Sequence, residues 1–283
     1  MNAWRCWAAL AGSALSSTAC GGGAPLLHPA HTLPADQLSF AVGTSGHFVL
    51  GDLAQAKEDL ADAAASAATT DAEQLRFAQG ALAELAMAPG VTPYVSGRAG
   101  LGNHNEVGLT YTVRNLRIDA RHAFEWPSLA ISVGLVAIGA LPRLGDRPVE
   151  QVGESQGSGG LRTVELVSPR GYGMELPVLF GYRSSADVVK LWTGLRAGFE
   201  RDAFYVTMVE EPDHAVSSTA HATRLWAGGL VGFSVGLAPI EVRVELDAAY
   251  ESAEGELLTA GGELEAKVSG WTLTPAMAIS AKF

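Results

Sequence analysis

From Trp271 to Phe283 the chain alternates without a break. Trp271, Leu273, Pro275, Met277, Ile279, Ala281 and Phe283 share one face, and Thr272, Thr274, Ala276, Ala278, Ser280 and Lys282 share the other. A period of two over thirteen residues is an extended strand, because a helix would repeat near 3.6. The length exceeds the ordinary soluble strand and suits a tilted strand that crosses a bilayer. Two further stretches repeat the pattern. Ile240, Val242, Val244, Leu246, Ala248 and Tyr250 oppose Glu241, Arg243, Glu245, Asp247 and Ala249. Val107, Leu109, Tyr111 and Val113 oppose Thr110, Thr112 and Arg114, and after an Arg114-Asn115 turn Leu116, Ile118 and Ala120 oppose Arg117, Asp119 and Arg121.

Composition decides what such strands can build. Only 17% of residues are charged, glycine numbers 33, and mean hydropathy is +0.17. Yet no run of eighteen apolar residues exists from which to make a membrane helix. A closed barrel reconciles the two, since only alternate strand residues must be apolar and closure leaves no edge to aggregate. A soluble sandwich is the competing all-β architecture.

Further strands are expected at Leu38–Phe48, Val91–Leu101, Ser128–Ile138, Leu161–Val167, Tyr172–Tyr182, Val188–Phe199, Ala203–Val209 and Ala220–Val235. With the alternating stretches above they make a transmembrane antiparallel β-barrel of twelve strands, or ten if the two short ones fail. Gly102–Asn105, Glu125–Pro127, Pro169–Gly171, Arg201–Asp202 and Gly236–Pro239 read as short turns. Leu141–Gly160, Glu210–Thr219 and Ser252–Gly270 read as longer loops at the other end. The alternation, this rhythm of turns and loops, and the terminal Phe283 together resemble bacterial outer-membrane β-barrel proteins. The resemblance implies contact with outer-membrane lipid and recognition of Phe283 by the barrel-assembly machinery. Trp126, Tyr172, Tyr182, Phe199, Tyr250 and Trp271 fall near strand ends, where aromatic girdles sit.

The first residues read as an export signal over 1–19, with Arg5 before the apolar stretch Trp7 to Leu15. Ser17-Thr18-Ala19-Cys20 resembles a lipoprotein processing site, which implies lipidation of Cys20, although Ser17 stands where leucine is usual. Cys6 would leave with the signal, so no internal disulfide is expected. Residues 20–37, rich in Gly, Pro and His, read as a tether to a barrel spanning 38–283. His28 and His31 lack companion ligands nearby, so neither metal nor cofactor is expected. A formal net charge of -11 argues against a nucleic-acid partner.

Between the first two strands the period changes. Residues 52–88 are rich in Ala, Leu, Glu and Gln, and predict a helical hairpin. One stripe is Leu53, Ala56, Leu60, Ala64 and Ala67; a second helix starts near Asp71, after a Thr70–Glu73 capping box, and presents Leu75, Ala78, Leu82 and Leu85. The insertion must either emerge outside, as a surface for an envelope-protein partner, or fold back into the lumen.

The predicted lumen face carries Arg98, Arg114, Arg117, Arg121, Arg183, Lys190, Arg196, Arg224, Arg243 and Lys282 against Asp119, Glu175, Glu200, Glu241, Glu245 and Asp247. Ten basic groups facing six acidic ones suit a narrow pore for anions or small polar solutes. The same groups could brace a closed barrel that anchors an envelope assembly. A membrane acyl hydrolase is the third reading, with His122 and Ser128 as candidates, but His122 is expected to face outward and no GxSxG occurs. A non-enzymatic barrel is therefore expected.

Overall fold

The computed structural model describes residues 25–283 except 67–70, 141–150, 153–162, 212–213, 238 and 260–261. The signal segment and Cys20 lie outside the described residues. Ten long strands form one closed antiparallel sheet: β1 Leu38–Val49, β2 Gly90–Gly102, β3 Asn105–Thr112, β4 Asn115–Glu125, β5 Leu129–Ala140, β6 Thr163–Arg183, β7 Val189–Glu211, β8 His214–Leu237, β9 Ile240–Thr259 and β10 Gly262–Lys282. Each pairs with its sequence neighbours, and the barrel closes where β1 meets β10, with Phe40 opposite Ala281 and Val42 opposite Ile279. Phe283 extends that seam through backbone bonds with Leu38 of 2.9 and 3.0 Å, and its ring meets Phe40 edge-on at 6.2 Å.

The count is ten, the lower of the two expected, because two of the expected turns lie inside continuous strands. The stretches Leu161–Val167 and Tyr172–Tyr182 belong to one strand, β6, and Val188–Phe199 with Ala203–Val209 to another, β7. Pro169–Gly171 and Arg201–Asp202 lie within the β6–β7 ladder, where Arg170 pairs with Ala203 and Gly171 with Asp202. The proline is accommodated by a register shift between Val167 and Arg170. Segments Glu210–Thr219 and Ser252–Gly270 are likewise mostly strand, forming the hairpins that join β7 to β8 and β9 to β10. Of Leu141–Gly160, only Gln151 and Val152 are described, and they pair with Glu165 and Val164 of β6.

The wall is inside-out relative to a soluble domain. Leu195, Val42, Ile118 and Ile279 are among the large apolar side chains exposed outward, with Leu195 66% exposed, while Glu106, Glu175, Glu200 and Glu245 are almost fully buried inside. Ten residue steps separate Ile240 from Tyr250, or ~33 Å of strand; a tilt of ~40° turns that into the ~25 Å apolar band of an outer-membrane barrel. Tyr250 packs edge-on against Trp271 of β10 at 5.7 Å, at the upper limit of that band.

The two halves of the barrel differ in height. Strands β1 to β5 run 8 to 13 residues, whereas β6 to β10 run 20 to 24. The taller wall therefore continues well past the aromatic level, away from the end that carries Leu38 and Phe283. Inside it stand α1 Asp52–Ser66 and α2 Asp71–Leu82, followed by a π-helical turn Ala83–Met87.

Candidate functional site: a lumen closed from both ends

The interior is filled by two segments of unlike chemistry. At the end bearing the short turns, part of the expected tether enters the barrel: Leu26, Leu27, His28, Ala30, His31 and Thr32 are all buried. The strap 25–34 carries no formal charge and three prolines, so it brings few unmet amide donors into the lumen. Charged wall residues satisfy the donors that remain. Leu26 and Leu27 donate their amides to the two oxygens of Glu245 at 2.8 and 2.9 Å, and Trp192 Nε1 donates to the same carboxylate at 2.9 Å. Leu27 has a φ of 48°, and this left-handed turn aims successive N–H groups at one anion. Thr32 donates its amide to Glu125 at 2.6 Å and Leu33 donates to Glu106 at 2.7 Å. In the opposite sense, Arg121 donates to the carbonyls of Pro29 and His31 at 2.5 and 3.0 Å, and Arg243 to that of Leu27 at 3.2 Å.

Small wall residues admit the strap. A Cβ on Gly181 would stand 2.7 Å from that of Ala30, so a larger side chain would expel it. Leu26 and Ala30 then pack with Ala130, Leu179, Trp192 and Leu230, and Leu27 packs with Ala41, Tyr94, Ala276 and Ala278. Burial, with Arg121 and Arg98 adding repulsion, holds His28 well below the usual histidine range. Burial and then Arg183 bring His31 down to about 4, so both rings are neutral near pH 7.

The other end is closed by the helices. Leu53, Leu60, Phe77, Ala78, Ala81, Leu82, Ala86 and Met87 form one apolar cluster with Ala222, Ala253, Ala266 and Val268 on the inner face of β8, β9 and β10. The insertion thus folds back against the tall wall. Gly80 lets the helices touch, since a Cβ there would lie 2.5 Å from the Ala56 carbonyl. Leu75, expected in the buried stripe, is exposed, and Phe77 and Ala81 join Ala78 and Leu82 on the face that packs against the wall. Polar ties among the described residues include Ala86 O, which accepts from Arg114 Nη2 at 3.1 Å and Arg224 Nη1 at 3.2 Å, Gln79 Nε2, which donates to Lys267 O at 3.3 Å, and Lys57, which pairs with Glu84 at 3.1 Å.

Between the closures lies a ladder of ion pairs. Arg98 binds Glu106 and, at 2.8 Å, Asp119; Arg121 Nη2 lies 2.8 Å from Glu106. Glu175 takes Arg117 at 2.9 Å and Arg196 at 2.6 Å, and Arg196 also reaches Asp247 at 2.7 Å. Higher, Arg224 lies 2.7 Å from Glu200 and 3.6 Å from Glu251, and Arg114, in the turn after β3, lies 3.5 Å from Asp202. His47 meets Glu251 at 3.4 Å and Thr274 at 2.8 Å. At the turn end Lys190, Arg243 and Lys282 gather on Glu241, and Arg183 stands at the rim.

Four acidic wall residues fall outside the sequence reading: Glu106, Glu125, Asp202 and Glu251. They raise the acidic complement to ten and match the ten basic groups. Glu106 and Glu251 each lie one step beyond a strand boundary drawn at an apolar residue, on the face that period two assigns to the lumen. Asp202 was hidden in a supposed turn. Among the described residues, the excess of cations that suggested anion passage is thereby cancelled. Unpaired buried charge is costly, and the matching ladder is how the interior avoids it.

His122 and Ser128 do not form a catalytic pair. His122 faces outward, bonded to Asn105 Oδ1 at 3.0 Å and packed on Phe124, while Ser128 sits in the β4–β5 turn, its carbonyl accepting from Arg183 N. Among the described residues no cluster of metal-ligating side chains occurs.

A closed ten-stranded wall, an apolar exterior and a charged interior define an outer-membrane β-barrel protein, and the chain is one of the bacterial outer membrane. No protein-family profile and no curated protein matches it. Among solved structures it is similar to the outer membrane protease OmpT of Escherichia coli, at 8% identity and a TM-score of 0.47, covering 89% of this chain and 99% of that one. It is also similar to the translocator domain of the autotransporter NalP from Neisseria meningitidis, at 9% identity and 0.34 over 89% and 90%. Neisserial surface protein A gives 12% identity and 0.29 over 87% and 96%.

Proposed function

We propose that the chain is a non-enzymatic, non-conducting outer-membrane anchor, whose tall wall and helical hairpin hold another component of the cell envelope. The observation that carries this reading is the double closure. A strap held by wall charges fills one end, a hairpin held by apolar packing fills the other, and lumen charges are matched between them. Beneath the hairpin the remaining cavity is about 30 Å³, room for little more than one or two waters. The outward face of the hairpin, with Lys57, Glu58, Leu75 and Arg76, is free of the wall and is the leading partner surface.

Planar-bilayer recording of the intact chain tests the reading. The intact barrel stays silent, and a chain lacking both the strap 25–34 and the hairpin 52–87 conducts. Steady conductance by the intact chain sinks the anchor reading in favour of a pore. Pull-down from native envelopes tests the second half: a partner co-purifies with the intact chain and is lost when the hairpin is deleted.

A further inference from the structure

At the turn-end mouth the local balance of charge departs from that of the lumen as a whole. A cavity of about 290 Å³ opens there, lined by both barrel and strap. Lys190 and Lys282 both reach Oε1 of Glu241, and Arg243 Nη2 lies 3.2 Å from its Oε2. The next carboxylate is Asp187, on the β6–β7 turn, with its side chain half exposed. Its oxygens lie 3.2 Å from Lys190 Nζ, 3.7 Å from Lys282 Nζ and 4.0 Å from Arg183 Nε. Four cations therefore converge on two carboxylates, and among the described residues Arg183 has besides these a 3.9 Å approach to Glu125.

Two further features point into the same space. Arg243 is 3% exposed and His31 4%. The Nε of Arg243 and both ring nitrogens of His31 have no hydrogen-bond partner among the described residues. Buried polar atoms without partners are costly unless something from outside meets them. Asp187 itself holds a left-handed backbone, φ 55°, in a turn closed by its amide on Ser184 O at 2.9 Å. This is an uncommon conformation for a residue with a side chain. It offers a carboxylate to the cations from the solvent side, while the rest of the turn stays at the rim.

We propose that this mouth binds a small dicarboxylate, with Asp187 occupying the place of one ligand carboxylate in the unliganded protein. The first carboxylate takes over Lys190 and Lys282, whose ammonium groups exchange partners without a fixed geometry, and the Arg183 guanidinium beside them. The second meets Arg243 Nε and a ring N–H of His31. Because His31 belongs to the strap and the cations to the wall, the ligand joins the two and holds the strap seated. A four- or five-carbon diacid fits the cavity; a long acyl chain does not.

The test is calorimetric titration of the full chain in detergent with succinate, with inorganic phosphate and sodium chloride as parallel arms. Succinate binds saturably to the wild type. Asp187→Asn binds it about fivefold tighter, the size expected when an exposed ionic competitor is removed. Arg183→Gln combined with Lys282→Gln abolishes saturable binding. All three side chains lie at or near the rim, and unchanged heat-dependent mobility on gels verifies that each variant remains a barrel. Saturable binding absent from both wild type and Asp187→Asn overturns the proposal, as does phosphate binding as tightly as succinate. Equal affinity in wild type and in the double variant overturns the location. Binding is read without reference to conductance, so its failure leaves the closed-barrel reading standing, and a conducting barrel would leave this site standing.

Discussion

The strap and the hairpin solve the same problem, filling a lumen, by opposite means. The strap is uncharged, short and irregular, and nearly every bond that holds it joins its backbone to a charged wall side chain. The hairpin is regular, satisfies its own backbone, and presents apolar side chains to an apolar patch of wall. The difference follows from secondary structure. A helix arrives with its amides already bonded and can be docked by burial alone. An irregular segment must find partners for its backbone inside the barrel, and a charged wall supplies them. The strap should therefore respond to charge and pH, and the hairpin to the volume of its side chains.

The largest expected effect separates the two at Arg121. Arg121→Ala removes donors to Pro29 O and His31 O and leaves buried Glu106 with Arg98 as its remaining basic partner. Breaking such a buried pair costs about 3–5 kcal/mol. Hydrogen exchange at Leu26, Leu27 and Leu33 should accelerate sharply while amides of α1 and α2 keep their rates. Equal acceleration in both segments would show that the closures are not independent.

Leu53→Ala makes the reciprocal cut. Leu53 is fully buried between α1 and the wall, packed near Gly270 of β10. Its truncation should destabilise the hairpin by about 3 kcal/mol and expose 52–66 to limited proteolysis, with strap exchange unchanged. Protease resistance equal to the wild type would deny the apolar docking.

The smallest effect, and the most selective, is on pH. His28 and His31 are neutral when the strap is seated and ordinary histidines when it is released. The released state binds more protons below the usual value near 6.5, so seating is fully stable above that pH. It weakens as the pH falls from about 6.5 toward the His31 value of about 4. Exchange of the Leu27 and Leu33 amides should rise across that window, while the hairpin shows no corresponding step. His31→Gln should flatten part of the strap's response.

The same contrast explains what could be read from the chain beforehand. Helix propensity and strand alternation are local, and both the hairpin at 52–88 and the faces of stretches such as 240–250 follow from them. Proline and glycine in Pro169–Gly171 are local signals too, but a long ladder absorbed them as an irregularity because β6 and β7 pair on both sides of it. The strap was not legible. Pro, His and Ala between Pro25 and Pro34 have the composition of a linker, and what buries them is a set of carboxylates and guanidiniums as many as 219 positions away. Glu106 and Glu251 were missed for a smaller reason, the trimming of strands at their apolar residues.

Most of the strap's bonds sort by distance along the chain, an exception being the Tyr94 hydroxyl, which donates to Leu26 O at 3.5 Å across 68 positions. The strap's later residues bind the first half of the barrel: Leu33 to Glu106 across 73 positions and Thr32 to Glu125 across 93. Its earlier residues bind the second half: Leu27 to Arg243 across 216 and Leu26 to Glu245 across 219. Going from 73 to 219 positions adds only about 1 kcal/mol of closure entropy, but the second set cannot form until β9 has been made. The strap's later half is thus docked on β3 and β4 and its earlier half on β9, so one unbroken piece of backbone ties the two halves of the wall together.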